Sequence, residues 1–354
     1  MLSSLTLPRG ELALPTFLPD ATSAVVRGLD MTDVQNCGID AVVMNTFHLM
    51  QKPGVTTIKA LGGLHKMSGW PHPIITDSGG FQAYSMIREN EKYGRLTDDG
   101  IIFRREDGER VNFTPEKSVQ LQLAFGADVV ICLDDCTHAD DARETQDTSV
   151  RRTIAWAKRC KDEFEKLCDQ KRLEPRERPK LFGVIQGGLE KDLRKKCADE
   201  LLDIGFDGFG FGGWPLDKQG QLLEDIVGYT REIVPRQFPM HALGIGHPRS
   251  IIACAKMGYE IFDCAMPTRD ARHARLYIGN PLSGDWQYFY ASDDKHIKNA
   301  RPVDETCDCH TCQRFSAGYL HHLFKLGDGA FNRLATIHNL RFMARMMEEI
   351  RNKK

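Results

Sequence analysis

Residues 181–211 read LFGVIQGGLEKDLRKKCADELLDIGFDGFGF, and this stretch decides the fold. Residues 181–185 form a short, continuous, β-rich apolar run, the pattern of a strand buried on both faces. Residues 190–204 have the amphipathic spacing of a crossover helix, and Phe209-Gly210-Phe211 is the next apolar run. Working outward, the same unit recurs. Runs at 16–18, 41–44, 74–76, 129–132, 181–185, 209–211, 242–245 and 261–262 are each bounded by polar residues or glycine, giving eight buried parallel strands. Helical patterns at 115–125, 144–168, 190–204, 219–234 and 248–257 lie between them. Eight such alternations predict an α/β fold, a (β/α)8 TIM barrel, with a doubly wound open sheet as the alternative. The barrel is expected over residues 1–300, residues 1–15 adding a small hairpin across its floor.

At 354 residues the chain is long enough to bury one large barrel core. A net charge of −2 argues against indiscriminate nucleic-acid binding, and the basic stretch 151–180 reads first as a solvated helix face. No run of eighteen apolar residues and no signal peptide is present, so a cytoplasmic protein without membrane contact is expected. Eight of the eleven cysteines are scattered through strands and helices as reduced, buried thiols. The other three, Cys307, Cys309 and Cys312, fall within six residues, a spacing that suits a closed tetrahedral structural Zn²⁺. The fourth ligand is a histidine among His310, His321, His322 and His338, the last placed at the start of a helix that folds back on the cysteines. A C-terminal zinc-binding helical subdomain is therefore expected over 301–354.

Barrel chemistry sits at the carboxyl ends of the strands. There the chain offers Asn45, Asp77 with Ser78-Gly79-Gly80, Asp134-Asp135-Cys136, Gln186-Gly187-Gly188, Gly212-Gly213, Gly246-His247 and Asp263-Cys264. Two converging carboxylates are the usual equipment for cleaving a glycosidic bond: one attacks or stabilises and the other transfers the proton. Strand-end aspartates also cap helices, so that structural reading stands beside the chemical one. The glycine pairs would let backbone amides approach a flat ligand such as a purine. Asp134, Gln186 and a glycine amide would supply in-plane polar contacts, with Phe81 and Leu243 as apolar cover.

These residues resemble the bacterial tRNA-guanine transglycosylases. The blocks Asn45-Thr46-Phe47-His48-Leu49, Thr76-Asp77-Ser78-Gly79-Gly80-Phe81-Gln82, Gln186-Gly187-Gly188 and Phe262-Asp263-Cys264-Ala265-Met266-Pro267-Thr268-Arg269 appear in that family's order from about residue 7 onward. The resemblance implies exchange of guanine at the anticodon wobble position for a 7-deazaguanine base through a covalent ribosyl-aspartate. Asp263 would be the nucleophile and Asp77 the general acid and base. Asp134, Gln186 and the Gly212-Gly213 pair would read the purine edge, with Ser78 assisting and Cys136 lining the pocket. Arg269 and Arg272 would hold the anticodon loop. Cys307, Cys309, Cys312 and His338 would hold one structural zinc per chain, and a homodimer would support the tRNA.

The chain departs from that family after strand six, where Gly-Gly-Leu-Ala-Val-Gly-Glu becomes Gly212-Gly213-Trp214-Pro215-Leu216-Asp217-Lys218. A family aromatic over the base is here His241, and His273-Ala274 replaces an asparagine-glycine pair. The changes cluster at the 7-substituent of the incoming base. They imply an active enzyme with altered base choice among the aminomethyl base preQ1, the cyano base preQ0 and queuine. Two rivals remain: a DNA 7-deazaguanine transglycosylase, and a non-catalytic tRNA-binding partner subunit.

Overall fold

The computed structural model describes residues 2–104, 108 and 110–353. Its centre is an eight-stranded parallel sheet in which each expected run supplies one strand. In chain order these are Thr16–Pro19, Val42–Met44, Ile74–Thr76, Val129–Ile131, Lys180–Ile185, Gly208–Phe211, Met240–Ala242 and Ile261–Cys264. Strand one pairs with strand eight in parallel register, Phe17 opposite Phe262. On its other side it meets strand two through an Asp20–Val43 bridge and the Ala21 amide on the Val43 carbonyl at 2.8 Å. The ring is thereby closed, which excludes the open doubly wound sheet.

Two apolar layers hold the ring. Inside it, Leu18, Ala41, Val43, Ile75, Val129, Ile131, Phe182, Val184 and Ile261 pack with Leu5, Leu7, Leu12 and Leu14. Those leucines come from the hairpin Ser4–Leu7 and Gly10–Ala13, which caps one end as expected. Between strands and helices lies the larger layer, where Trp70, Trp156 and Phe125 are buried. Helices Pro115–Phe125 and Pro248–Met257 have the bounds expected of them. Thr114 caps the first of these by accepting from the Lys117 amide, Pro115 occupies its first turn, and Gly126 ends it at φ 84°.

Four features differ from expectation. The helix expected over 219–234 spans only Glu224–Glu232, because a Leu216–Leu222 bridge closes a loop ahead of it. Strand seven is Met240–Ala242, two residues earlier than the run 242–245. Gly244 (φ 74°) turns the chain there and the Ile245 amide bonds back to the Ala242 carbonyl, so Leu243 belongs to the mouth. His338 lies in the middle of helix Gly329–Asn352, not at its start, because Asp328 provides the N-cap ten residues earlier. Two antiparallel sheets were not anticipated: Gly94–Thr97 with Gly100–Arg104 and Arg110–Phe113, and Arg275–Ile278 with Gln287–Tyr290.

Helix Gly329–Asn352 packs across the seam between strands eight and one. Arg351 donates to the Pro15 carbonyl (2.8 Å) and Arg333 Nε to Asp33 (2.7 Å), both near the start of the barrel. Asn339 holds the other side: its Nδ2 donates to the Pro267 (2.9 Å) and Arg275 (3.1 Å) carbonyls, and its Oδ1 accepts from the Tyr277 amide (3.1 Å).

Candidate active site

Asp77, Asp134 and Asp263 line one cavity of about 520 Å³ at the carboxyl ends of the strands. Ser78, Phe81, Cys136, Gly212, Gly213, Leu243 and Arg269 share its wall. Gln186 is fully buried and reaches the cavity through Asp134; Arg272 is half-buried, its Nη1 on the Thr268 carbonyl at 2.9 Å. Asp135 turns away into a buried ion pair with Arg152. The basic stretch after residue 150 is largely spent on such pairs, Arg159 with Glu116 and Arg178 with Glu165 among them.

Asp77 follows strand three directly. Its Oδ1 accepts from the amides of Thr46 (2.9 Å) and Gly79 (3.2 Å), its Oδ2 from Asn45 Nδ2 (2.6 Å) and Gln82 Nε2 (3.4 Å). Asn45 is itself fixed, because its Oδ1 caps helix Thr46–Gln51 through the His48 amide. Burial nevertheless pushes the Asp77 carboxyl up to about 7; the Thr46 amide opposes the rise and the Asp263 charge adds to it. A carboxyl titrating near neutrality is suited to giving and taking a proton.

Asp134 is pushed up to about 6, again chiefly by burial, with the Gln186 hydrogen bond opposing. Gln186 Nε2 donates to its Oδ2 at 2.6 Å and Ser78 Oγ lies 3.4 Å from its Oδ1. The Gln186 Oε1 is buried with no hydrogen-bond partner among the described residues. Burial also holds the Cys136 thiol well above its ordinary value, so it is a neutral wall and not a nucleophile.

Arg194 was not anticipated. It is buried without a carboxylate partner among the described residues, its Nε on the Gly188 carbonyl (2.8 Å), Nη1 on Ile185 (3.0 Å) and Nη2 on Gly212 (3.1 Å). Its guanidinium also stacks 4.1 Å from the centre of the Phe211 ring. One side chain thus ties together the loops after strands five and six, which carry Gln186 and Gly212-Gly213. The available signal was its position, since Arg194 shares the buried stripe of helix Lys191–Ile204 with Cys197, Ala198 and Leu201.

In the loop after strand six, Trp214, Pro215 and Leu216 line the cavity. Trp214 lies nearly parallel to Phe81 (centroids 6.1 Å, 16°) and to His138 (6.2 Å, 17°). Asp217 Oδ1 accepts from the amides of Gln219 and Gln221, and Lys218 pairs with Asp140 at 3.5 Å. His241, expected over the base, does not line the cavity; it is buried beneath Asp263.

The ligand atoms of Cys307, Cys309, Cys312 and His338 lie within 4.8 Å of one another, all four residues buried. His338 Nδ1 is 3.3 Å from Cys312 Sγ and 3.6 Å from Cys309 Sγ. Its Nε2 sits 2.7 Å from the Tyr277 carbonyl, which can only accept, so the proton is on Nε2 and the Nδ1 lone pair faces the sulfurs. That donor set fits a tetrahedral metal ion.

A closed parallel barrel whose mouth gathers three carboxylates around a cavity of small-molecule size defines a TIM-barrel enzyme. A family model described as queuine tRNA-ribosyltransferase matches residues 2–353. The chain belongs to that family. It is 36% identical over 350 residues to a queuine tRNA-ribosyltransferase of Novosphingobium aromaticivorans, covering 98% of this chain and 89% of the relative. It is 37% identical to that of Desulforamulus reducens, with 99% and 90% covered. Among the described residues no helix is long and apolar enough to cross a membrane.

Proposed function

We propose that this chain is a tRNA-guanine transglycosylase, exchanging guanine at the anticodon wobble position for a 7-deazaguanine base in queuosine modification. The observation that carries the reading is the pairing, in one cavity, of Asp263 with a second carboxyl, Asp77, whose protons exchange near neutrality. Asp263 attacks the ribose C1′; the C1′–Oδ bond forms, the C1′–N9 bond breaks, and the purine leaves with a proton from Asp77. The incoming base then gives its N9 proton to Asp77 and its N9 lone pair to C1′, and the electrons of the C1′–Oδ bond return to Asp263. Asp134 accepts from the N1–H and 2-amino edge, while Gln186 and the Gly213 amide donate to O6. The burial of Asp134 and Gln186 supports this, since a site built around hydrogen bonds rejects bases that leave them unpaired.

In this pose the 7-substituent, adjacent to O6, meets Trp214-Pro215-Leu216. That wall brings no carboxylate, since Asp217 is not among the residues that line the cavity. It favours a base without a cationic substituent, preQ0 or queuine over preQ1. Arg269 and Arg272 grip the anticodon loop as guanidinium donors to phosphate. Residues 301–354 form the zinc subdomain: Cys307, Cys309, Cys312 and His338 hold Zn²⁺, which supplies structural cross-linking when bound. A cytoplasmic homodimer completes the proposal.

The test is capture of a covalent tRNA–protein adduct on a denaturing gel, expected with the native chain and lost in Asp263→Ala. Asp77→Ala should bind tRNA with turnover nearly abolished. Binding without adduct or exchange would instead identify a non-catalytic partner subunit, and an adduct on DNA but not tRNA the DNA-modifying relative. Competition of the three bases reads the 7-substituent pocket, and clear preference for preQ1 removes the altered-choice proposal.

A further inference from the structure

The two oxygens of Asp263 are held unequally. Oδ1 is 2.8 Å from His241 Nε2 and accepts from the Gly244 amide at 3.0 Å. Among the described residues no hydrogen-bond donor reaches Oδ2, and Asp263 lines the cavity. His241 comes from strand seven, the neighbour of strand eight in the sheet, and is fully buried. A carboxylate oxygen accepts, so at this distance the ring must carry its proton on Nε2; the other tautomer would set a lone pair against the carboxylate.

The second observation is at the far nitrogen. His241 Nδ1 is buried with no hydrogen-bond partner among the described residues. His65 satisfies both nitrogens, with the Trp70 carbonyl at 2.9 Å and Asp128 at 3.1 Å, whereas His296, stacked on Phe289 outside the cavity, leaves its Nε2 unpartnered among the described residues. An orphaned buried nitrogen is costly. Among the described residues, the one hydrogen bond that the His241 ring makes is to the Asp263 carboxylate.

We infer that His241 is a positioning residue for the nucleophile: its Nε2–H pins Oδ1, turns Oδ2 toward C1′ as the attacking atom, and holds the charge returning to the carboxylate. This rests on the transglycosylase reading above. During attack Oδ2 bonds to C1′ and Oδ1 becomes the ester carbonyl oxygen, still hydrogen-bonded to His241 and Gly244. In the second half-reaction the C1′–Oδ2 bond breaks and its electron pair delocalises onto Oδ1. The donors on Oδ1 therefore strengthen as that charge develops, which accelerates discharge of the intermediate.

The experiment compares His241→Phe, His241→Asn and His241→Gln in single-turnover assays. Adduct formation and base-driven discharge are timed separately, with equilibrium binding of the base and melting curves in parallel. The Gln amide nitrogen reaches the position of Nε2, whereas the Asn amide nitrogen stops near that of Nδ1. Discharge is expected to slow roughly ten- to a hundredfold in the Phe and Asn variants, the worth of one hydrogen bond to a charged group. The Gln variant should recover most of this, with base affinity unchanged throughout. Should the Phe variant fail to fold, the Asn and Gln pair still decides. Discharge at the native rate in the Asn variant, or a Gln variant no faster than Asn, overturns the role of His241. Failure of the native chain to form any adduct overturns the transglycosylase reading instead.

Discussion

Gly212→Ala gives the sharpest test of how the cavity reads its base. Gly212 has no left-handed φ, so its backbone accepts alanine and the consequence is steric. A Cβ there would lie 2.6 Å from Gln186 Nε2, 2.7 Å from Val184 Cγ1 and 2.8 Å from Gln186 Cδ. Ordinary contact begins at 3.4 Å, so the Gln186 carboxamide must retreat by about 0.8 Å. A movement of that size breaks its 2.6 Å bond to Asp134. The loss is that of one hydrogen bond to a charged group, about 1.5–3 kcal/mol, or roughly ten- to a hundredfold in affinity for the incoming base. Calorimetric titration with the base measures it directly. Gly228→Ala is the control: its Cβ meets only Met257 Sδ at 3.8 Å within helix Glu224–Glu232, and it should leave affinity unchanged while adding about 0.5–1 kcal/mol of stability. Base affinity within twofold of native in Gly212→Ala would refute the idea that the Gln186–Asp134 pair reads the purine.

Base-driven discharge needs Asp77 as the carboxylate, so its rate should rise about tenfold per pH unit below about 7 and level off above; a profile flat from pH 5 to 8 would exclude Asp77 as the base. The same shift bears on folding. Because the folded-state value exceeds 3.8, the contribution of Asp77 to stability is full below that pH and is lost as pH rises through about 7. Urea midpoints of the native chain should therefore fall with pH relative to Asp77→Ala over that window. Arg194→Met leaves the Gly188 and Gly212 carbonyls unpaired, while Ile185 keeps the Gly212 amide, and should cost about 2–3 kcal/mol with weakened base binding; a change under 1 kcal/mol would show that water replaces the guanidinium. Removing the metal with a chelator should lower the melting temperature before it lowers turnover, and immediate loss of turnover at an unchanged melting temperature would contradict a scaffolding role.

The barrel was legible because parallel strands buried on both faces read as continuous apolar runs, and helices such as Pro115–Phe125 carry their own punctuation. Strand seven was misplaced because burial alone marks a run. Leu243 and Ile245 are covered by the mouth and the turn at Gly244, not by sheet pairing. The carboxylates were legible because barrel geometry places chemistry at strand ends. Arg194 and His241 were not, since what they do depends on partners the linear spacing never shows: carbonyls from two loops for one, an oxygen on the adjacent strand for the other. The cysteine triplet announced itself by spacing. The geometry of His338 rests on a carbonyl sixty-one residues earlier in the chain.

Helix Gly329–Asn352 touches both sides of the seam where strands one and eight meet, and one of its contacts joins residues 336 apart in sequence. A ring fastened this way is of high contact order, and the entropy of closing so long a loop must be met before the closure is rewarded. Before strands one and eight pair, each is an unpaired parallel edge open to other chains. Asn339, next to His338 of the cysteine-histidine cluster, grips the backbone at Pro267, four residues beyond Asp263. The helix that carries His338 is thereby tied to the segment that follows Asp263, and a chain refolded with a chelator should give less folded protein than one refolded with added metal.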